Sequence, residues 1–339
     1  MPRKARIDAP GALQHIIIRG IEGRVIFRDR WDRDRFLKRL GNVLSDTSTA
    51  CYAWALMSNH VHLLLRTGLV PIATVMRRCL TGYAQEFNRR YERHGPLFQN
   101  RYKSVLCEEE PYLLELVRYI HLNPVRAGVV KDIGQLRSYR HCGHAVVMGT
   151  RKCEWQDRDY ILGFFGEEAG LSRRHYAAFV ARGVKLGRQP DLVGGGLIRS
   201  AGGWSAVKDQ LRAGIRMKGD ERILGSSTFV EEVLERADEE LEQQTRLRSQ
   251  GLDLETLLSR VTCYYGVDMG TFETSTKRTA VAKARAVFCY LAVRKLRTTG
   301  TEVARRLNIT QGAVSRCVAR GEQILLQEDR EGIEKVVLE

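Results

Sequence analysis

The residues of this chain best suited to chemistry are two histidines two positions apart, His60 and His62, in Met57-Ser58-Asn59-His60-Val61-His62-Leu63-Leu64-Leu65. On a strand, residues i and i+2 share a face, so both imidazoles project together while Val61 turns to the core. Side by side, two neutral imidazoles can share one metal ion if a third ligand arrives from elsewhere. Taken alone, the pair fits equally well two structural histidines satisfied by backbone or water. A second segment, Val117-Arg118-Tyr119-Ile120-His121-Leu122-Asn123-Pro124-Val125, supplies the missing types. On a helix Tyr119 and Asn123 share a face. That arrangement offers a phenol as nucleophile and an amide oxygen as third ligand, although Pro124 biases Asn123 away from ideal helix.

The surrounding sequence reads as elements able to position these groups. Leu13–Arg19 is a short apolar run fit for a buried strand, and Arg33–Ser45 has apolar residues at helical spacing with Asp32 available as a cap. Tyr52–Met57 and Val61–Leu65 read as a hairpin turning at Ser58-Asn59. A long helix over 71–93, a strand over Leu97–Cys107 and a helix over Pro111–Leu122 follow. The order strand–helix–strand–strand–helix–strand is a split βαβ pattern. It predicts an α+β fold: a ferredoxin-like antiparallel sheet with helices on one face and an extra helix after the last strand. Residues 1–130 form this first domain, 131–225 read as a linker with short helices, and 226–325 read as an all-helical domain.

Bulk properties narrow the partners. The net charge is +15, an excess that points to a polyanion, most often nucleic acid. It is also uneven: residues 277–320 hold eleven Lys/Arg against one acid, and 71–106 hold seven against two. Two basic regions predict two separate contacts. No apolar run reaches the roughly 18 residues of a membrane span. The basic start leads into no apolar signal core, so a cytoplasmic protein is expected. The eight cysteines are scattered without a C-x-x-C pair, which argues for reduced thiols over a disulfide frame. His141-Cys142-Gly143-His144 lacks the second Cys/His pair of a zinc finger.

Together the H-hydrophobic-H strand, the Leu97-Phe98-Gln99-Asn100-Arg101-Tyr102-Lys103-Ser104 segment and Tyr119-Ile120-x-x-Asn123-Pro124-Val125 resemble the HUH tyrosine transposases. More narrowly they resemble the branch associated with repetitive extragenic palindromes. The likeness covers about residues 8–130 and implies a ferredoxin-like fold, in agreement with the strand order. It further implies that His60, His62 and Asn123 hold Mg²⁺ or Mn²⁺, and that Tyr119 attacks a DNA phosphate to leave a 5′-phosphotyrosine and a free 3′-hydroxyl. Tyr83, Tyr91 and Tyr112 are alternative nucleophiles, but none is followed by the family segment. Lys103 and Arg118 are candidate cations to favour the phenolate. Arg77, Arg78, Arg89, Arg90, Arg101 and Lys103 are candidate phosphate contacts on single-stranded or hairpin DNA.

A second signal lies in residues 301–320. Val303, Ala304 and Leu307 form one apolar face, Asn308-Ile309-Thr310 makes a turn with Thr310 as cap, and Gln311–Ala319 forms a short helix. This helix-turn-helix layout places Gln311, Ser315 and Arg316 to reach double-stranded DNA. Residues from about 226 resemble the DNA-binding domain of the bacterial replication initiator. Three functions stand open on the sequence: a metal-dependent single-strand DNA transferase, a DNA-binding regulator with a residual HUH site, and an RNA-binding protein. The third lacks an aromatic RNA-reading signature. The resemblance also allows a homodimer in which one chain's tyrosine serves the other's histidines, and leaves open whether one chain builds one site.

Overall fold

Strand β1 (Leu13–Arg19) is buried along six of its seven residues, so neither of its faces is left to water. A strand apolar on both sides has to be covered on both sides, and this requirement organises the first half of the molecule. The computed structural model describes residues 7, 11–68, 70–187, 189, 192, 220–235, 252–268, 270, 272, 279–296, 298–328 and 330–338. The chain divides into two units, Met1–Val233 and Leu234–Glu339.

In the first unit β1 pairs antiparallel with β3 (His60–Arg66) and β4 (Lys103–Cys107), and β3 pairs antiparallel with β2 (Ala50–Leu56). A short fifth strand, β5 (Ile223–Leu224), joins the edge parallel to β4, giving the order β2-β3-β1-β4-β5. Helices α1 (Arg30–Asp46) and α2 (Ile72–Arg90) cover one face, over a core that includes Ile16, Ile18, Trp54, Val61 and Leu63. Helix α3 (Glu109–Arg126) covers the opposite face against Ala53, Ala55 and Leu64.

This arrangement corrects the expected fold in two respects. The sheet is mixed at its β4–β5 edge, not wholly antiparallel, and helices lie on both faces because the central strands are apolar on both. Local boundaries differ as well. Asp29, not Asp32, caps α1 by accepting from the Asp32 amide. Asp32 is itself buried and accepts from the Arg28 amide (2.8 Å), Tyr91 Oη (2.9 Å) and Arg90 Nη1 (2.8 Å). Strand β4 starts only at Lys103; the preceding Phe98 makes an isolated bridge to Gly20.

The stretch expected to be a linker with short helices holds, over its described part to residue 187, four α-helices of the first unit: α4 (Ile133–Ser138), α5 (His144–Val147), α6 (Arg158–Gly163) and α7 (Ala169–Gly183). They share a core with α3, where Tyr176 is fully buried and its hydroxyl meets His121 Nδ1 (2.7 Å) and His144 Nδ1 (3.0 Å). Gly143 is required there, because a Cβ would fall 2.9 Å from both the Gln156 amide and His121 Nε2. The three short helices α4, α5 and α6, of 4 to 6 residues, give no strong periodic signal, and contacts distant in sequence hold them. Trp54 Nε1 donating to Gln156 Oε1 at 2.8 Å is one such contact.

The described residues of the second unit are helical: α8 (Leu254–Tyr264), α9 (Thr279–Arg294), α10 (Gly300–Arg306), α11 (Gln311–Gln327) and α12 (Arg330–Leu338). Helix α9 is the centre of their core, with Val287, Phe288 and Leu291 fully buried. Thr299 caps α10 and Thr310 caps α11, each accepting from the amide three residues on. Helix α11 runs well past Ala319, the end expected from its sequence, as its apolar face continues to Leu325. Lys277, Arg278 and Arg297 lie outside the described residues.

Candidate active site

The alternation of β3 divides its side chains between the two faces: Val61, Leu63 and Leu65 enter the core under α1 and α2, and Leu64 enters the core under α3. His60 and His62 therefore project on the α3 side, at one end of the strand. Their rings lie 5.2 Å apart, centroid to centroid. A third imidazole joins them from β1. Ile17 is paired with His62, so His15, two residues away on the same face, is the diagonal neighbour. His15 Nε2 stands 3.0 Å from His62 Nδ1, and both residues are buried.

These contacts decide which nitrogens remain available. Asn59 Nδ2 donates to the Gly23 carbonyl (3.0 Å), which turns its Oδ1 toward His60 Nδ1 (2.7 Å). His60 then donates from Nδ1 and keeps its lone pair on Nε2. His62 Nδ1 is engaged by His15, and in the tautomer where His62 Nδ1 donates, His62 likewise keeps its lone pair on Nε2. Burial, reinforced by Arg19, pushes His60 down to about 4. Burial also pushes His62 well below its usual range, helped by His15, His60 and Arg19. Both rings are neutral near pH 7, the state that binds metal.

Tyr119 comes to this cluster from α3. Its ring centroid lies 5.8 Å from that of His62 and 6.1 Å from that of His15, edge-on to both. Asn123 follows one turn later. Pro124 sits inside α3 without ending it, which corrects the expected departure from helix. A proline has no N–H for the carbonyl four residues back, here Ile120. Asn123 Nδ2 reaches that carbonyl at 3.4 Å and the Tyr119 carbonyl at 3.0 Å. Its amide is thereby oriented with Oδ1 away from the helix backbone. Among the described residues no three His, Cys, Asp or Glu side chains are grouped as a metal site. A donor set built on His60 and His62 would take a further oxygen, and the Asn123 amide, one turn beyond Tyr119 on α3, is of that type. Two neutral imidazole lone pairs and an amide oxygen fit a divalent cation.

Burial raises the Tyr119 phenol above its usual range, opposed by Arg126 and Arg19. These two arginines, with His15, are the members of the site that sequence reasoning missed. For His15 a signal existed in the strand pairing, which places it diagonal to His62. Arg126 lies seven residues beyond Tyr119 on the same helix, two turns along the same face. Of the cations named from the sequence, Arg118 is turned away, whereas Lys103 lies in the cross-strand row of Ile17 and His62. Arg118 is buried against α7, its guanidinium 4.5 Å from the Phe179 ring centroid and paired with Glu115. Lys103 is exposed at the start of β4, opposite Ile17.

The alternative tyrosines are accounted for by other contacts. Tyr83 is buried and donates to the Ile26 carbonyl at 2.6 Å. Tyr91 donates to Asp32, and burial and that carboxylate push it up to about 12. Burial also raises Tyr112, with Glu108 and Cys107 as its charged neighbours. The proposed phosphate contacts Arg77, Arg78, Arg89, Arg90 and Arg101 are all exposed. Arg78 pairs with Asp46 at 2.6 Å. Arg90 is held by Asp29 (2.6 Å) and the buried Asp32 (2.8 Å), and its guanidinium lies 4.3 Å from the Trp31 ring centroid. It is paired within the protein while remaining exposed at the surface. On α11, Arg316 is exposed and Ser315 is half-buried, while the Gln311 side chain lies outside the described residues.

No curated protein matches the chain. Among solved structures, one of a REP-associated tyrosine transposase bound to a REP hairpin is similar, with a TM-score of 0.34 and 18% identity over 46% of this chain and 91% of that one. No described helix is long and apolar enough to cross a membrane. In agreement with the resemblance carried by its motifs, residues 11–123 match the family model of the IS200-like transposases.

Proposed function

We propose that the first unit is a metal-dependent DNA strand transferase of the single-tyrosine type, acting on single-stranded or hairpin DNA. The observation that carries this reading is the convergence of Tyr119 with His15, His60 and His62, from a helix and two strands, inside the stretch that matches the transposase model. When bound by His60, His62 and Asn123, Mg²⁺ or Mn²⁺ would supply charge stabilisation to the oxygens of the phosphate. His15 orients the His62 ring, and Asn59 orients that of His60. Tyr119 attacks phosphorus through its phenolic oxygen. The P–O3′ bond breaks, the phenolic proton leaves to solvent, and the departing 3′ oxygen takes up a proton. The 5′-phosphotyrosine keeps the phosphodiester energy, so a DNA 3′-hydroxyl can reverse the step.

Tyr119 stands against the histidines of its own chain, which supports a site built within one protomer without exchange of the tyrosine helix. The second unit supports a separate contact with double-stranded DNA through a helix-turn-helix made by α10 and α11, with Arg316 at the exposed surface. The test is a labelled DNA hairpin with a single-stranded tail, incubated with the full chain and Mn²⁺ or Mg²⁺ and run on a denaturing gel. A covalent band that requires metal and vanishes in Tyr119→Phe is expected. Tight binding without a covalent band across a panel of hairpins would replace this reading with that of a DNA-binding regulator.

A further inference from the structure

Arg126 stands out among the arginines of the first unit. Others, such as Arg33 and Arg118, bury one unpaired nitrogen, whereas Arg126 buries Nε, Nη1 and Nη2 with no hydrogen-bond partner for any of them. Its guanidinium carbon lies 5.2 Å from the centroid of the Tyr119 ring. The charged groups that act on it are Tyr119 and Arg118, and no carboxylate is among them; burial pushes Arg126 below its usual range. A guanidinium presents five donors in a rigid fork, and covering that fork without an acceptor is costly. Its place in the last turn of α3 gives it the favourable end of the helix dipole. That effect does not account for the site, because no backbone carbonyl accepts from the fork.

We propose that Arg126 is the receptor for the DNA phosphate presented to Tyr119, its fork taking the two non-bridging oxygens of one backbone phosphodiester. The phosphate supplies the acceptors that the protein leaves out, in the bidentate geometry that guanidinium and phosphate share. Arg126 is partly exposed as a residue, so a turn about its own side-chain bonds brings the fork to the ligand without moving the helix. The same position sets the register of the strand, because a phosphate held over the Tyr119 ring is the phosphate nearest its oxygen. This inference rests on the strand-transfer reading for the identity of the phosphate, but not for the binding itself.

The experiment compares the full chain with its Arg126→Met and Arg126→Lys variants, using a labelled DNA hairpin with a single-stranded tail. Affinity is measured without divalent metal over a range of salt, so that no cleavage intervenes, and thermal stability is measured alongside. Loss of one phosphate contact makes the slope of log K against log[salt] shallower by about 0.7 in Arg126→Met, with the slope kept in Arg126→Lys. Thermal stability of Arg126→Met stays level or rises, because an apolar side chain of similar length replaces a buried charge. With Mn²⁺ present, covalent adduct forms about 100-fold more slowly in Arg126→Met. In Arg126→Lys it is also slowed, because an ammonium cannot reproduce the fork. An unchanged salt slope in Arg126→Met, or a marked fall in its stability with binding intact, overturns the proposal. Absence of adduct from the unaltered chain would remove the strand-transfer reading, while the salt slopes would still decide the role of Arg126.

Discussion

The two faces of the sheet are built to different rules. Under α1 and α2 the contacts are apolar and aromatic, with Trp54, Phe36, Val61 and Leu63 fully buried. Under α3, at the His60 end, three imidazoles of the same sheet meet a phenol and an unpaired guanidinium of the helix. His60 and His62 are held neutral by burial, and Arg126 has no protein acceptor. A surface serving only to stabilise the fold would not keep such groups covered, since each costs free energy that an aliphatic residue would not. The difference separates the residues that make the fold from those the fold exists to hold.

Substitution on each face gives the largest contrast. Trp54→Ala on the first face is expected to destabilise the unit by about 3–5 kcal/mol, measured by denaturant unfolding. Tyr119→Phe on the second face is expected to change stability by under about 1 kcal/mol while abolishing the covalent DNA adduct. Should Tyr119→Phe prove the more destabilising of the two, the contrast between the faces would break down. Next in size, His15→Ala is expected to lower Mn²⁺ affinity by about 10- to 100-fold, the usual cost of losing the group that orients a ligand. Calorimetric titration of metal into the chain checks this without reference to cleavage.

The imidazoles also set a pH dependence. His60 is pushed down from 6.5 to about 4 by burial and Arg19. Above pH 6.5 it is neutral in the folded and unfolded chain alike. As pH falls from 6.5 toward about 4, the unfolded chain takes up a proton that the folded chain refuses, so stability declines through this window and levels off below it. Urea unfolding at a series of pH values is expected to show the decline, and His60→Gln to reduce it. A steeper decline in His60→Gln than in the unaltered chain would assign the dependence to other groups.

The parts of this site that are local in sequence were legible, and those made by long-range pairing were not. His60 and His62 are two apart on a strand and Tyr119 and Asn123 four apart on a helix, so periodicity alone places each pair on one face. His15 reaches His62 only through the β1–β3 register, and the covering of the second face by α3 depends on strands being apolar on both sides. Helices α4 to α7 lack long amphipathic stripes and read as linker, although contacts such as Trp54 with Gln156, 102 residues apart, fix them. Arg90 shows the same limit in reverse. A basic residue on a basic helix reads as a free cation, and its pairing with the buried Asp32 is visible only in the fold.

That pair of readings supplies the smallest effects. Arg90→Ala removes a charged partner from the buried Asp32 and is expected to lower stability, with little change in the salt dependence of DNA binding. Arg101→Ala, at an exposed position, is expected to leave stability within about 0.5 kcal/mol and to make the salt slope shallower by about 0.7. The two variants carry the same change in net charge, so a difference between them cannot come from the overall field of the protein. If both lowered the salt slope equally and neither altered stability, Arg90 would have to let go of Asp32 to meet DNA, and α2 would be a phosphate-binding surface along its whole length. If only Arg101→Ala alters the slope, the DNA path on the first unit passes along the segment leading into β4, whose first residue Lys103 is opposite Ile17 on the strand that carries His15.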